Sequence, residues 1–84
     1  MVTLRYFAWV REKVGRAEEQ VVLPPEATTV AGLIAWLKTR GPEYAAAFER
    51  GDVIRTAVDL THVKAPASIL GAREIAFFPP VTGG

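Results

Sequence analysis

One amphipathic helix, placed between two groups of strand-like segments, limits the possible architectures of this chain more than any other feature. Four aliphatic residues share one face of this helix at positions i, i+3, i+4 and i+7: Val30, Leu33, Ile34 and Leu37. Thr28 or Thr29 offers an N-cap, and the run 40–42 (Arg-Gly-Pro) supplies a last-turn cation, a C′ glycine and a stop. Because one such helix can cover only one face of a sheet, we expect a sheet whose other face is open.

Strand-like segments precede and follow the helix. Alternating apolar residues predict a first strand over 2–9 and a second strand over 19–23. Between them we expect a short helical turn at 10–14, closed by Gly15. The predictions for the second half of the chain are a short helix at 43–50, strands at 53–58, 61–63 and 75–78, and a turn at Asp59-Leu60. The two N-terminal strands can form an antiparallel pair.

This order of elements predicts an α+β fold of the β-grasp, or ubiquitin-like, type. One main helix would cross one face of a mixed sheet, with the first strand in a central position. A chain of 84 residues can bury about 60 % of the surface that it exposes when unfolded, which suffices for one modest core. We therefore predict a single domain over 1–84, with a free tail at about 79–84 and without a large enclosed active site.

Composition excludes several classes of function. The net charge is +1 and no basic run is present, so nucleic-acid binding has little electrostatic support. The absence of cysteine excludes disulfides, thiolate metal sites and chemistry on a side-chain thiol. No apolar run approaches the ~20 residues of a membrane span, and the N-terminus lacks a signal-peptide pattern. These observations predict a soluble, cytoplasmic protein that holds no metal.

Aromatic residues occupy positions that the predicted open sheet face would expose. Phe7 and Trp9 have outward parity in the first strand, and Phe78 has outward parity in the last one. Exposed aromatic residues on an uncovered sheet face indicate a surface that binds a partner protein. Packing beneath the following turn is the alternative for both Phe7 and Trp9.

The final residues have the composition of a reactive tail. Pro79 and Pro80 lack N–H donors and must stop sheet pairing after the last strand. Val81 and Thr82 favour an extended stretch, and the pair 83–84 (Gly-Gly) has no Cβ, so its backbone can enter a narrow slot. We expect the carboxylate of the last residue to be accessible to an enzyme; an ordinary frayed terminus is the alternative.

Two long segments resemble the MoaD family, the small subunits of molybdopterin synthase: LRYFAWVREKVG at 4–15 and GAREIAFFPPVTGG at 71–84. The resemblance implies a sulfur carrier. Gly84 would be adenylated by a MoeB-type enzyme that uses ATP, and a sulfur donor would then convert it to a thiocarboxylate. The tail, Pro79 to Gly83, would insert into a MoaE-type large subunit and deliver sulfur to cyclic pyranopterin monophosphate. In this family two carriers and two large subunits form a heterotetramer, the catalytic groups belong to the partners, and the carrier binds no permanent cofactor.

Two residues depart from the family pattern, His62 and, in the preceding turn, Asp59, where the family often has Asn. His62 stands where the family has a hydrophobic contact, beside the other partner-binding residues that the resemblance implies, Phe7 and Phe78. If His62 lies at the interface, we expect weaker binding to MoaE at acidic pH, because histidine gains a proton there.

Three other functions are compatible with a β-grasp domain that ends in Gly-Gly. The chain could carry sulfur for thiamine synthesis or tRNA thiolation, although its FFPPVTGG tail and the helix at 43–50 favour the molybdenum pathway. It could be a ubiquitin-like modifier joined through Gly84 to lysines of other proteins. It could also be an interaction module with an inert tail.

Overall fold

The computed structural model describes residues 1–80, which form a five-stranded mixed sheet with helices packed on one face. The elements in chain order are β1 (Val2–Tyr6), α1 (Ala8–Val14), β2 (Glu18–Val21), α2 (Val30–Lys38), α3 (Pro42–Ala47), a 3₁₀ turn (Gly51–Val53), β3 (Arg55–Val58), β4 (Thr61–Val63) and β5 (Glu74–Phe78). The sheet order is β2-β1-β5-β3-β4; β1 and β5 run parallel, and the other neighbours run antiparallel. This is the β-grasp fold, so the predicted fold class is confirmed. None of the helices described within residues 1–80 is long and apolar enough to cross a membrane.

Helix α2 begins where its sequence predicts. Thr29 is the N-cap, and its Oγ1 accepts a hydrogen bond from the backbone N–H of Gly32 at 3.1 Å. Its apolar face is buried against the sheet at Val30, Leu33 and Leu37. The predicted stop is wrong in detail: the helix ends at Lys38 and Thr39 caps it, while Gly41 is extended and is the N-cap of α3.

The core lies between α2, α3 and the inner face of the sheet. Tyr6 of β1 and Phe77 of β5 are fully buried, and their rings stack with centroids 6.0 Å apart. The ring of Phe48, also fully buried, meets Phe77 edge-on at 5.0 Å. Because strand residues alternate between faces, the neighbour of Phe77, Phe78, must lie on the face opposite the helices.

The first strand is shorter than predicted. It ends at Tyr6, because Ala8 adopts a left-handed φ of 53° and begins α1. Trp9 therefore lies in α1 and is partly buried against the core, so its predicted place on the open sheet face is wrong. The end of α1 agrees with its sequence: Gly15 has a φ of 91°, and its N–H donates to the carbonyl oxygen of Arg11 at 2.8 Å.

A two-residue turn joins β3 to β4, as predicted. Asp59 and Leu60 both have positive φ, 47° and 70°, which is the geometry of a type I′ hairpin turn. The Asp59 carboxylate accepts hydrogen bonds from the backbone N–H groups of Arg73 and Glu74, at 3.0 and 2.9 Å. These bonds fix the hairpin to the start of β5. The sequence predicts a third strand from residue 53, but the 3₁₀ turn extends to Val53 and β3 begins only at Arg55.

Candidate functional site

The sheet face opposite the helices is open, and one end of it is aromatic. Phe78 projects from β5 on this face, and His62 of β4 lies beside it with ring centroids 5.3 Å apart and planes inclined by 52°. Strand β3 lies between them, and its Ala57, the cross-strand partner of His62, has a small side chain. The structure thus brings together two of the three residues predicted to bind a partner.

Phe7, the third predicted residue, lies at the same end of the sheet. It follows β1 directly and donates its N–H to the carbonyl oxygen of Phe77 at 3.0 Å, so it adjoins Phe78 in the parallel register. Its side chain is 44 % exposed. Among residues 1–80 its ring forms no aromatic pair with His62 or Phe78. We call Phe7, His62 and Phe78 the aromatic patch.

The chain leaves the sheet beside this patch. Strand β5 ends at Phe78, and Pro79 and Pro80 follow it outside the sheet, both half-buried. Val81, Thr82, Gly83 and Gly84, which the sequence predicts to form the rest of the tail, lie outside the described residues. Whatever binds over Phe78 therefore also meets the first residues of the predicted tail.

The two ends of the open face differ in charge. Away from the aromatic patch, Arg5 lies between two carboxylates, with Glu18 at 3.6 Å and Glu74 at 3.5 Å, so its positive charge is compensated. At the patch end, Arg55 is the cross-strand partner of Phe78 and is exposed. No ion pair of Arg55 is present within residues 1–80. The sequence patterns do not single out Arg55; only its outward parity in β3 could have indicated its place beside Phe78.

A buried polar cluster on the other face of the sheet is also not evident from sequence. The Glu19 side chain is only 7 % exposed, and its carboxylate accepts hydrogen bonds from the hydroxyls of Tyr6 at 2.8 Å and Tyr44 at 2.6 Å. Arg40 makes an ion pair with the same carboxylate at 3.0 Å and lies over the Tyr44 ring, 4.8 Å from its centroid. This Glu19 cluster joins β1 and β2 to α3 and the loop before it. The inward parity of Tyr6 and Glu19 is the one signal that could have revealed it.

The Glu19 cluster changes the acidity of its members. Burial opposes ionisation of Glu19, but hydrogen bonds from Tyr44, Tyr6 and Arg40 outweigh burial and hold the pKa of its carboxyl below the ordinary value of 4.5. Burial, and then the hydrogen bond to Glu19, raises the pKa of Tyr6 and of Tyr44 above the ordinary value of 10.0. At neutral pH the cluster thus combines a carboxylate, a guanidinium and two neutral hydroxyls.

These shifts predict how stability depends on pH. A lowered pKa in the folded state stabilises the protein above pH 4.5, and this contribution is lost as the pH falls through the folded pKa of Glu19. The raised pKa values of the tyrosines stabilise the protein below pH 10.0, and this contribution is lost as the pH rises further. We expect Glu19→Gln to flatten the acid limb in urea unfolding measured from pH 7 to pH 2. An acid limb as steep as that of the wild type would contradict this assignment.

Comparison with known proteins gives consistent results. The model of the ThiS family matches residues 4–84. The molybdopterin synthase sulfur carrier subunits of Escherichia coli (strain K12) and Haemophilus influenzae are 36 % and 32 % identical to this chain over 84 residues, and each alignment covers 100 % of both chains. The crystal structure of SAMP1 from Haloferax volcanii matches with a TM-score of 0.71 at 23 % identity, over 99 % of this chain and 98 % of that one. This last likeness concerns the fold.

Proposed function

The chain belongs to the ThiS family, together with the MoaD-type molybdopterin synthase sulfur carrier subunits, and from this premise we propose that it carries sulfur in molybdenum cofactor biosynthesis. The observation that supports this proposal most is the full-length match to two proteins that both have this name. The partner is then a large molybdopterin synthase subunit of the MoaE type.

In this proposal the carboxyl group of Gly84 is the reacting group. An α-carboxyl has a pKa of about 3.5, so it is ionised at neutral pH and is a poor electrophile. Its oxygen attacks the α-phosphorus of ATP in a MoeB-type enzyme, pyrophosphate leaves, and an acyl adenylate forms. Sulfide from a sulfur donor then attacks the acyl carbon and AMP leaves, which yields the thiocarboxylate. Because the chain has no cysteine, sulfur must be carried on this carbon.

The described residues support the proposal through the geometry of the tail base. Strand β5 is the middle strand of the sheet, and it delivers the chain to Pro79 beside the aromatic patch. A partner that docks on Phe7 and Phe78 would hold the start of the tail at a fixed position and angle. Sulfur then passes to cyclic pyranopterin monophosphate inside the large subunit, whose own residues supply the catalysis.

The intact mass of the protein tests this function. The chain is incubated with ATP, a sulfide source and the MoeB-type enzyme of the same organism. We expect a mass gain that corresponds to exchange of one oxygen for sulfur, and its loss when ATP is omitted. An unchanged mass with every adenylating enzyme of that organism would contradict the proposal.

Two adjacent aromatic residues should separate binding from folding. We expect Phe78→Ala to weaken binding to the large subunit by about 2 kcal/mol or more, as for a central aromatic contact, with little change in stability. We expect Phe77→Ala to reduce the free energy of unfolding by about 3–5 kcal/mol, because Phe77 is fully buried between Tyr6 and Phe48. Calorimetric titration and urea unfolding of both variants measure these effects.

Leu60→Ala is the matched control, because Leu60 is a large apolar residue that is 86 % exposed at the other end of the sheet. It should change neither quantity appreciably. If Phe78→Ala lowered stability as much as affinity, Phe78 would be part of the core and not of a partner surface.

A further inference from the structure

A small cleft with basic walls lies next to the aromatic patch. It has a volume of about 270 Å³ and is lined by Arg55, Thr56, His62, Val63 and Lys64. Three of these five side chains are basic and none is acidic. The cleft belongs to β3 and β4, on the side of Phe78 that faces away from β1. We call it the basic cleft.

The positive charge of the basic cleft is not balanced by the residues that the structure describes. Arg55 and Lys64 are exposed, and neither makes an ion pair within residues 1–80. Asp52 lines the adjoining cavity of about 290 Å³ together with both cations, but its ion pair, at 4.0 Å, is with Arg50. Arg5, by contrast, lies on the same face of the sheet with two carboxylates beside it.

The position of the basic cleft connects it to the aromatic patch. Arg55 is the cross-strand neighbour of Phe78, and the His62 ring lies 5.3 Å from the Phe78 ring, so a protein that covers Phe78 must also cover these groups. Covering uncompensated cations without an anion would remove their hydration without replacing it. An arginine fork suits a carboxylate in particular, because it can donate two parallel hydrogen bonds.

We propose that the basic cleft receives an aspartate or glutamate side chain of the protein that docks on the aromatic patch. This inference rests on the proposed function, since it takes the large subunit as that protein. Arg55 is then a specificity-determining residue: it rejects partner surfaces that lack an acidic group at this position, and Phe78 supplies the apolar contact.

Charge reversal tests the proposal. Binding of the large subunit of the same organism is measured with Arg55→Glu, Arg55→Lys and Lys64→Glu. A protonated histidine in this cleft would strengthen binding of a carboxylate, which is the opposite of the pH dependence expected from the sequence alone. The titrations are therefore run at pH 8, above the range in which histidine ordinarily takes up a proton, so that they report on Arg55 and Lys64. We expect Arg55→Glu to raise the dissociation constant at least 10-fold and to reduce its dependence on salt between 0.05 and 0.3 M, with a smaller loss for Arg55→Lys.

Lys38→Glu is the matched control, because Lys38 is an exposed cation at the end of α2, on the helix side of the sheet. It should leave the dissociation constant unchanged. All variants should retain the unfolding temperature of the wild type, which excludes misfolding as a cause. Replacing the facing carboxylate of the large subunit by lysine should restore binding to Arg55→Glu.

The outcomes distinguish this inference from the function on which it rests. If Arg55→Glu binds as tightly as the wild type while Phe78→Ala binds weakly, the partner uses the patch but places no acid in the cleft, and the inference is wrong. Tighter binding by Arg55→Glu would also overturn it, because the partner would then place a basic group, and not an acidic one, at the cleft. If the mass experiment fails as well, the proposed function is wrong independently of the cleft.

Discussion

Deletion of Gly84 is expected to abolish thiocarboxylate formation completely. The reacting carbon in the proposed mechanism is the carboxyl carbon of this residue, and a chain that ends at Gly83 presents its carboxylate one residue, about 3.5 Å, short of the same position. Misplacement by even 1 Å can reduce the rate of an enzymatic step about 100-fold. Intact-mass analysis after incubation with ATP, sulfide and the MoeB-type enzyme should show no shift for the deletion, and a full shift for the intact chain.

The same deletion should leave folding and docking almost unchanged. The deletion changes no residue of the aromatic patch or of the core described within residues 1–80, so the unfolding temperature should be that of the intact chain. Binding to the large subunit should largely persist through Phe78. If the shortened chain is still thiolated, the reacting group lies elsewhere. If the shortened chain unfolds at a lower temperature or no longer binds the large subunit, the deletion has disturbed the structure, and the loss of thiolation does not identify Gly84 as the reacting residue.

Glu19→Ala is expected to destabilise the fold by about 3 kcal/mol, because it removes the buried carboxylate that accepts hydrogen bonds from two tyrosine hydroxyls and pairs with the partly exposed Arg40. For a domain of this size, that loss corresponds to a fall of roughly 15 °C in Tm. Urea unfolding at pH 7 and thermal unfolding measure the two quantities.

Glu18→Ala provides a control from the same strand. Glu18 is the neighbour of Glu19 but faces the open side of the sheet, where its side chain is 57 % exposed and lies 3.6 Å from Arg5. An exposed pair of this kind contributes at most about 1 kcal/mol, so the two adjacent alanine variants should differ clearly. Equal losses would mean that the Glu19 cluster is no more than a set of surface contacts.

Patterns within a single segment predicted much of this fold. The spacing of Val30, Leu33 and Leu37 identified the helix that covers the sheet, because a period of 3.6 residues has no other simple explanation. Alternation placed Phe77 inside and Phe78 outside, which located the patch. The same alternation gave a wrong position for Trp9. The backbone turns from β1 into α1 through the left-handed φ of Ala8, and the pattern of hydrophobic side chains does not report backbone dihedral angles.

The features that sequence could not reveal depend on contacts between distant segments. The hydroxyl of Tyr44 reaches Glu19 across 25 positions of the chain, and only the folded topology brings them together. The charge of Arg55 is likewise uninformative by itself: it becomes significant because Arg5 has Glu18 and Glu74 beside it, and Arg55 pairs with no carboxylate within residues 1–80. Whether a charged side chain lacks an ion-pair partner depends on all the residues around it in the folded protein.

The central position of β5 has a mechanical consequence. A force applied to the chain beyond Phe78 enters a strand that is hydrogen-bonded to β1 on one side and β3 on the other. When such a force is directed along the strand, it must shear both ladders together and cannot separate them one bond at a time. An enzyme that binds the end of this chain and later releases it can therefore exert force on it without unfolding the domain.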